Sequence, residues 1–397
     1  MSAKPRVLLV VGFLWGDEGI VRGLIALAKG LMESGWEVCL ASAMVDQDGY
    51  ERFTRGPEWI ESQGIQHFYV PFPNFRTPAG KFSTAFKALL SLNVAVQQFK
   101  PDIINVHSLS LCPYTFVMRS LYGIPYISTA RTMPSANRLG VKFGGLINKY
   151  FNTFLGNRFI AISTEIKEAY ERILRIPPGQ IRVVYHGVET DRFRPPSTQE
   201  RLESREAFGL NLNDKVVCLI GYLYPLKGHD VLIQAISLLK SEGVNVVALC
   251  AGAGDKEEVQ TLQTQAEQSN VSDLIRLLGF TDARQVLWAS DALILPSRLE
   301  GFGWVIPEAM LCGVVPIRTP AGGAIDQIEN GINGFIFPFN DAEALAMRLK
   351  QLIENEALMS QMSVAAIESA RQKFTAERMI KETIAVYEEL MTISSAQ

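Results

Sequence analysis

"KVVCLIGYLYPLKGHDVLIQAISLLKSEGVNVVALCAG", residues 215–252, reads as strand, helix, strand. "KVVCLIGYL" is a nearly continuous apolar run, the pattern of a strand covered on both faces rather than a half-exposed one. "HDVLIQAISLLKSEG" then places apolar residues at three- and four-residue spacing, as an amphipathic helix does. "VNVVALCAG" returns to the buried-strand pattern. Two buried strands joined by a helix belong to a parallel sheet.

The same alternation runs outward in both directions. Upstream lie "RVLLVV", "EVCLAS", "DIINVHS", "YISTA", "FIAIS" and "IRVVYHG", separated by helical patterns such as "IVRGLIALAKGLMESG" and "FSTAFKALLSLNVAVQQF". Downstream lie "LIRLLGF", "ALILPS", "VVPIRT" and "GFIF". The fold class is therefore α/β, with two doubly wound, Rossmann-like domains of about six strands each. The polar, proline-bearing "DRFRPPSTQE", residues 191–200, joins them. The expected domains are 1–195 and 196–375, with a final helix in 376–397 that either closes the second domain or crosses back to the first. Two such domains form a cleft, and ligands of open parallel sheets bind at the carboxyl ends of strands near a topological switch point.

Composition narrows the function. A chain of 397 residues with 48% hydrophobic and 20% charged residues has the make-up of a soluble globular protein. A net charge of −3 and the lack of a polybasic run or zinc spacing argue against a nucleic-acid partner. The scattered Cys39, Cys112, Cys218, Cys250 and Cys312 form no CxxC and read as buried thiols in a reducing cytoplasm. The apolar stretch from Val7 to Trp15 is too short to span a bilayer, and no cleavage site follows it.

"SRLEGFGWVIPEAMLCG", residues 297–313, carries the chemistry. Pro307 suits the first position of a helix, and Glu308 then falls in the first turn, where the macrodipole favours an anion. Glu300 lies in the loop, and Gly301 and Gly303 permit close backbone approach to a ligand. Free N–H groups at such a turn suit phosphate, whereas carboxylates suit sugar hydroxyls. The pair therefore points to a ligand carrying phosphates and polyols, unless it is a capping glutamate beside a solvated acid. Lys227, before Gly228 at another helix entrance of the same domain, suits a diphosphate.

These stretches resemble a known family. "PSRLEGFGWVIPEAMLCGVVPI" resembles the EX7E segment of the retaining glycosyltransferases of family 4, which have the GT-B fold. "GYLYPLKGHDVLIQAI", "VVYHGVETDRFRP" and "TPAGGAIDQIENGINGFIF" resemble further family segments, in family order and spacing. The resemblance implies that the first domain binds the acceptor and the second a nucleotide-sugar donor, UDP- or GDP-linked. It gives Glu300 the sugar hydroxyls, Glu308 the ribose and Lys227 the diphosphate. Gly301, Phe302 and Gly303 would lie along sugar and phosphate, offering backbone N–H groups. It implies no metal or other cofactor, and a final helix crossing back to the first domain. The resemblance implies an acceptor hydroxyl on a glycan, lipid or small molecule.

The sequence also departs from the family. Tyr222 replaces an arginine, so one cation on the leaving group is missing, and Arg298 is a candidate to compensate. In "WGDEG" the glycines Gly16 and Gly19 are separated by Asp17 and Glu18, and Glu18 either faces the acceptor or merely opens a helix. Arg131 stands where the family often has a histidine, suited to a sugar or an acceptor phosphate but not to accepting a proton. His107 ends a strand at the presumed cleft, where it can touch the acceptor. His186 replaces a common asparagine, and Asp326 stands near the family's acid after the double glycine. Residues 142–159 read either as a membrane-surface helix or as core, and the few basic residues around the apolar face favour core. A peripheral contact at the inner face of a membrane stays open. Rival readings are a nucleotide-sugar epimerase, disfavoured by the EX7E segment, and an impaired relative acting as a binding or scaffold subunit. A dinucleotide oxidoreductase is disfavoured by the lack of G-x-G-x-x-G after the first strand.

Overall fold

The computed structural model describes residues 4–13, 19–43, 57–73, 81–134 and 154–395. The chain forms two compact units, Met1–Gly187 with Ala376–Gln397, and Val188–Thr375. The break falls ahead of the expected position after residue 195. The reason is local: Val188 is bridged to Thr375, and its N–H donates to the Phe374 carbonyl at 2.8 Å. Phe193 is buried, and Trp288 Nε1 donates to the Arg194 carbonyl at 2.9 Å. The polar joint is thus already part of the second unit.

The first unit holds a parallel sheet of β1 (Arg6–Phe13), β2 (Glu37–Ala43), β3 (Gln66–Tyr69), β4 (Ile103–Val106), β5 (Tyr126–Ala130), β6 (Arg158–Ala161) and β7 (Ile181–Val183). Their order is β3-β2-β1-β4-β5-β6-β7. Val7, Leu8, Leu9 and Val10 are wholly buried, so β1 is covered on both faces as its continuous apolar run requires. The sequence does not announce β3. It is a four-residue edge strand with no buried residue, so no apolar run marks it.

The last helix, Ala376–Ser395, packs on helix Gly19–Glu33 in this unit, with Met379, Val386, Tyr387 and Leu390 in its core. Trp36 meets the Tyr387 ring edge-on at 5.5 Å. Asn105 Nδ2 donates to the Tyr387 hydroxyl at 2.6 Å, and Asn105 Oδ1 accepts from Thr129 at 2.8 Å. This buried chain fixes the helix against β4 and β5. Tyr387→Phe leaves the Asn105 amide without that acceptor and is expected to cost about 1–2 kcal/mol, read from urea denaturation.

The second unit holds β8 (Val216–Ile220), β9 (Val247–Ala251), β10 (Ile275–Gly279), β11 (Ala292–Leu295), β12 (Val315–Arg318) and β13 (Phe335–Ile336). All pairs are parallel, in the order β10-β9-β8-β11-β12-β13. Strands β8 and β11 are neighbours although two strands separate them in sequence, so the topological switch point lies between them. Helix Glu356–Lys373 escapes the periodicity reading because it buries only a narrow stripe of Met362, Ala366 and Ala370. All five cysteines are buried free thiols. Among the described residues, no helix is long and apolar enough to cross a membrane.

Candidate active site

The loops leaving β8 and β11 meet at the switch point of the second sheet. After β8 the chain makes a 3₁₀ turn, Pro225–Lys227, and Gly228 caps helix His229–Ser241 in the left-handed region at φ 74°. A Cβ on Gly228 would lie 2.3 Å from the Pro296 carbonyl oxygen, so only glycine lets this turn press on the end of β11. The Arg298 N–H donates to the Leu226 carbonyl at 2.8 Å and ties the two loops together.

That closure brings Lys227 and Glu300 into contact. Lys227 Nζ lies 2.6 Å from Glu300 Oε1, with side chains 26% and 10% exposed. The lysine stem runs along Gly221, where an added Cβ would sit 3.6 Å from Cδ and Cε. Arg298 behaves otherwise than expected. Its guanidinium makes a bidentate pair with Asp230, at 3.0 and 2.6 Å, while Nε donates to Asn340 Oδ1 at 2.7 Å. It also donates to the Pro225 carbonyl. The charge is neutralised within the turn, so Arg298 braces the loops and does not replace the arginine missing at Tyr222. The Tyr222 ring stacks on Tyr224, with centroids 5.3 Å apart and planes at 12°.

The glycine-rich loop is shaped from beneath. The Phe302 ring is buried and meets Phe374 edge-on at 5.7 Å, so what this residue offers a ligand is backbone, not ring. Arg318, at the end of β12, is wholly buried. It donates to the carbonyls of Phe302, Thr319, Ala321 and Gly322 at 2.7–3.2 Å and to Gln327 Oε1. Gln327 Nε2 donates to the Phe302 carbonyl at 2.8 Å. A Cβ on Gly322 would come within 2.3 Å of the Glu300 carbonyl oxygen, so the two loops touch backbone to backbone. Glu308 is buried in helix Val305–Leu311, at 2% exposure. The helix begins at Val305, so Pro307 is its third residue rather than its first, and Glu308 still lies in the first turn. Asp326 is buried in the short helix Ala324–Gln327 that follows the double glycine.

In the first unit, His107 follows β4, Arg131 follows β5 and His186 lies beyond β7. Arg131 Nη2 lies 2.8 Å from His107 Nδ1. A guanidinium only donates, so Nδ1 accepts and the neutral ring carries its proton on Nε2. Burial, then Arg131, then His186 hold the His107 pKa well below its usual value. Burial and Arg131 do the same to His186. The Nε2–H is the ring's remaining donor, and the nitrogen that would accept a proton is held by Arg131. The three side chains line a cavity of about 20 Å³ with Asn105, Thr129 and Thr383, room for one water. Gly16 and Glu18 lie outside the described residues, as do residues 142–153 of the apolar segment. Gly19 is the first residue of helix Gly19–Glu33.

Comparison with known proteins decides the family. Residues 18–192 match the model of Glycosyltransferase Family 4, and residues 200–372 match Glycosyl transferases group 1. The chain belongs to glycosyltransferase family 4. An uncharacterized glycosyltransferase of Methanocaldococcus jannaschii is 24% identical over 91% of this chain and 92% of its own. A D-inositol 3-phosphate glycosyltransferase of Saccharomonospora viridis is 26% identical over 73% of this chain and 70% of its own. A crystal structure of a glycosyltransferase from Rickettsia africae superimposes with TM-score 0.83 at 21% identity, covering 98% and 99% of the two chains. Anabaena HepE in complex with UDP-glucose gives 0.78 at 20% identity, over 97% and 99%. The fold is GT-B, and the protein is a glycosyltransferase enzyme.

Reading the sequence of this glycosyltransferase missed the loop's support. Arg318 and Gln327 carry no motif, although the double glycine was visible. His229 is 3% exposed at the entrance to helix His229–Ser241. Burial chiefly, with Lys227 adding and Asp230 opposing, pushes its pKa from 6.5 to about 4. The unfolded chain therefore binds a proton that the folded unit excludes. Stability is full above pH about 6.5 and falls by up to about 3 kcal/mol as pH drops towards 4. Urea midpoints at neutral and mildly acidic pH should show this loss, and His229→Phe should reduce it.

Proposed function

We propose that this glycosyltransferase transfers a sugar from a UDP- or GDP-sugar, with retention of anomeric configuration, to a hydroxyl of a glycan, lipid or small-molecule acceptor. The observation that carries the reading is the Lys227–Glu300 pair at the switch point, beside the Gly301–Gly303 loop and ahead of buried Glu308. Glu308 holds the ribose, Glu300 the sugar hydroxyls and Lys227 the diphosphate. Lys227 stabilises charge on the departing diphosphate, which accounts for donor cleavage without invoking a metal. A diphosphate oxygen accepts the acceptor's proton on the face it leaves, which gives retention without a second carboxylate on the opposite face. In the first unit, Arg131 holds the His107 ring beside a space for one water, through which they meet the acceptor. The capture of HepE with UDP-glucose supports a nucleotide-sugar donor for this chain.

Calorimetry with UDP, GDP and ADP, then their sugar conjugates, with chelator present, tests the assignment. One base should bind selectively. Glu308→Ala should weaken bare nucleotide about tenfold or more, from loss of a charge-assisted hydrogen bond to ribose. Glu300→Ala should spare or tighten bare nucleotide, because it frees Lys227, yet lose affinity or turnover for the full donor. Equal losses of bare nucleotide in both variants would sink the division of roles.

A further inference from the structure

The last helix, Ala376–Ser395, carries Met379, Thr383 and Tyr387 at four-residue steps, so the three share one face. Each meets a different part of the polar cluster in the first unit. Met379 Sδ accepts from the Gly187 N–H at 3.2 Å, next to His186. The Tyr387 hydroxyl accepts from Asn105, and Asn105 Oδ1 accepts from Thr129. Asn105 precedes His107 by two residues, and on the neighbouring strand Thr129 precedes Arg131 by two, so each pair keeps to one face of the sheet. Thr383 stands between Met379 and Tyr387. It is 3% exposed and lines the space for one water together with His107, Arg131 and His186. His107 Nε2 is buried and has no hydrogen-bond partner among the described residues.

We propose that Thr383 and Tyr387, on the last helix, are positioning residues for the His107–Arg131 pair. The His107 Nε2–H donates to the enclosed water, and that water donates to the Thr383 hydroxyl. A helical threonine can give its own proton to the carbonyl four residues back, which leaves its lone pairs for the water. A buried N–H without an acceptor is costly, so the water belongs to the folded state. Tyr387 holds the two strands that lead to the pair, through Asn105 and Thr129. The imidazole is thus fixed at Nδ1 by Arg131 and at Nε2, through the water, by a helix from the far end of the chain. The purpose of this placement rests on the reading that the pair meets the acceptor, but the placement itself is measurable with no acceptor present.

Nitrogen NMR of the full chain, isotope-labelled at its four histidines, tests it. His107→Gln identifies the ring's signals. The unsubstituted chain should show His107 as the Nε2–H tautomer, with a ring proton that exchanges slowly. Thr383→Val keeps the shape and removes the hydroxyl. It should shift the Nε2 signal and speed that exchange about tenfold or more, and Thr383→Ser should bring the rate back to within about threefold. Leu390→Ala opens a gap in the core on the same helix. It should lower the melting temperature at least as far as Thr383→Val does, yet leave the His107 signals in place. Unchanged His107 signals in Thr383→Val would overturn the proposal. So would a response that Leu390→Ala reproduces, or one that Thr383→Ser does not rescue. The acceptor reading fails separately, when His107→Gln leaves transfer intact while the ring still responds to Thr383.

Discussion

Lys227→Ala lowers kcat/KM by about a thousandfold, mostly in kcat, with a matching loss of nucleoside diphosphate affinity. Removing one group that stabilises charge in a transition state typically costs about 10²–10³. The upper end is expected here because nothing else in the two described loops takes over. Tyr222 brings a hydrogen bond and no charge. Arg298 is held bidentate by Asp230. Arg318 lies beneath the loop with its donors turned to backbone carbonyls. A cation on the leaving group gains most as the sugar–phosphate bond breaks, so its loss appears in kcat. Lys227→Arg should recover only part of the activity. The lysine stem is fitted along Gly221 and its ammonium sits 2.6 Å from Glu300, a space for a point charge and not for a planar fork. A fall in kcat of less than about tenfold would remove Lys227 from the leaving-group role.

The same loops show what a sequence discloses. Continuous apolar runs such as "RVLLVV" and "VVCLI" announced parallel strands because a strand buried on both faces has no polar side to alternate with. The half-exposed edge strand Gln66–Tyr69 had no such pattern to offer, and helix Glu356–Lys373 packs through small residues that weaken the periodic signal. At the site, glycines and acids at fixed spacing were legible because turns and polyol contacts demand those residue types. Partner choice was not. Whether Arg298 meets a phosphate or Asp230 depends on two loops from non-consecutive strands, and their meeting is a property of the sheet order. His107 was visible at a strand end, but the tautomer that makes it a donor follows from Arg131, which arrives from the neighbouring strand.

Arg318→Met is expected to destabilise the second unit by about 3–5 kcal/mol and to impair donor use even where the protein stays folded. The volume is nearly kept, so the cost is polar. Arg318 is wholly buried and donates to Phe302, Ala321 and Gly322 carbonyls, which belong to the glycine-rich loop and to the segment pressed against it. Methionine leaves those acceptors without that donor in a site closed to water, and each unsatisfied buried group costs about 1–3 kcal/mol. Gln327 still holds the Phe302 carbonyl, so the loss is partial rather than complete. The catalytic consequence follows from the close approach of Gly322 to the Glu300 carbonyl. When Arg318 no longer fixes residues 321–322, the backbone that sets Glu300 is released, and the sugar contact should suffer more than the bare nucleotide. Urea denaturation of the variant measures the first effect. The ratio of donor to nucleotide affinity at a temperature where it is folded measures the second. A loss below about 1 kcal/mol would show that the carbonyls find other donors, and an unchanged ratio would show that Glu300 is positioned without Arg318.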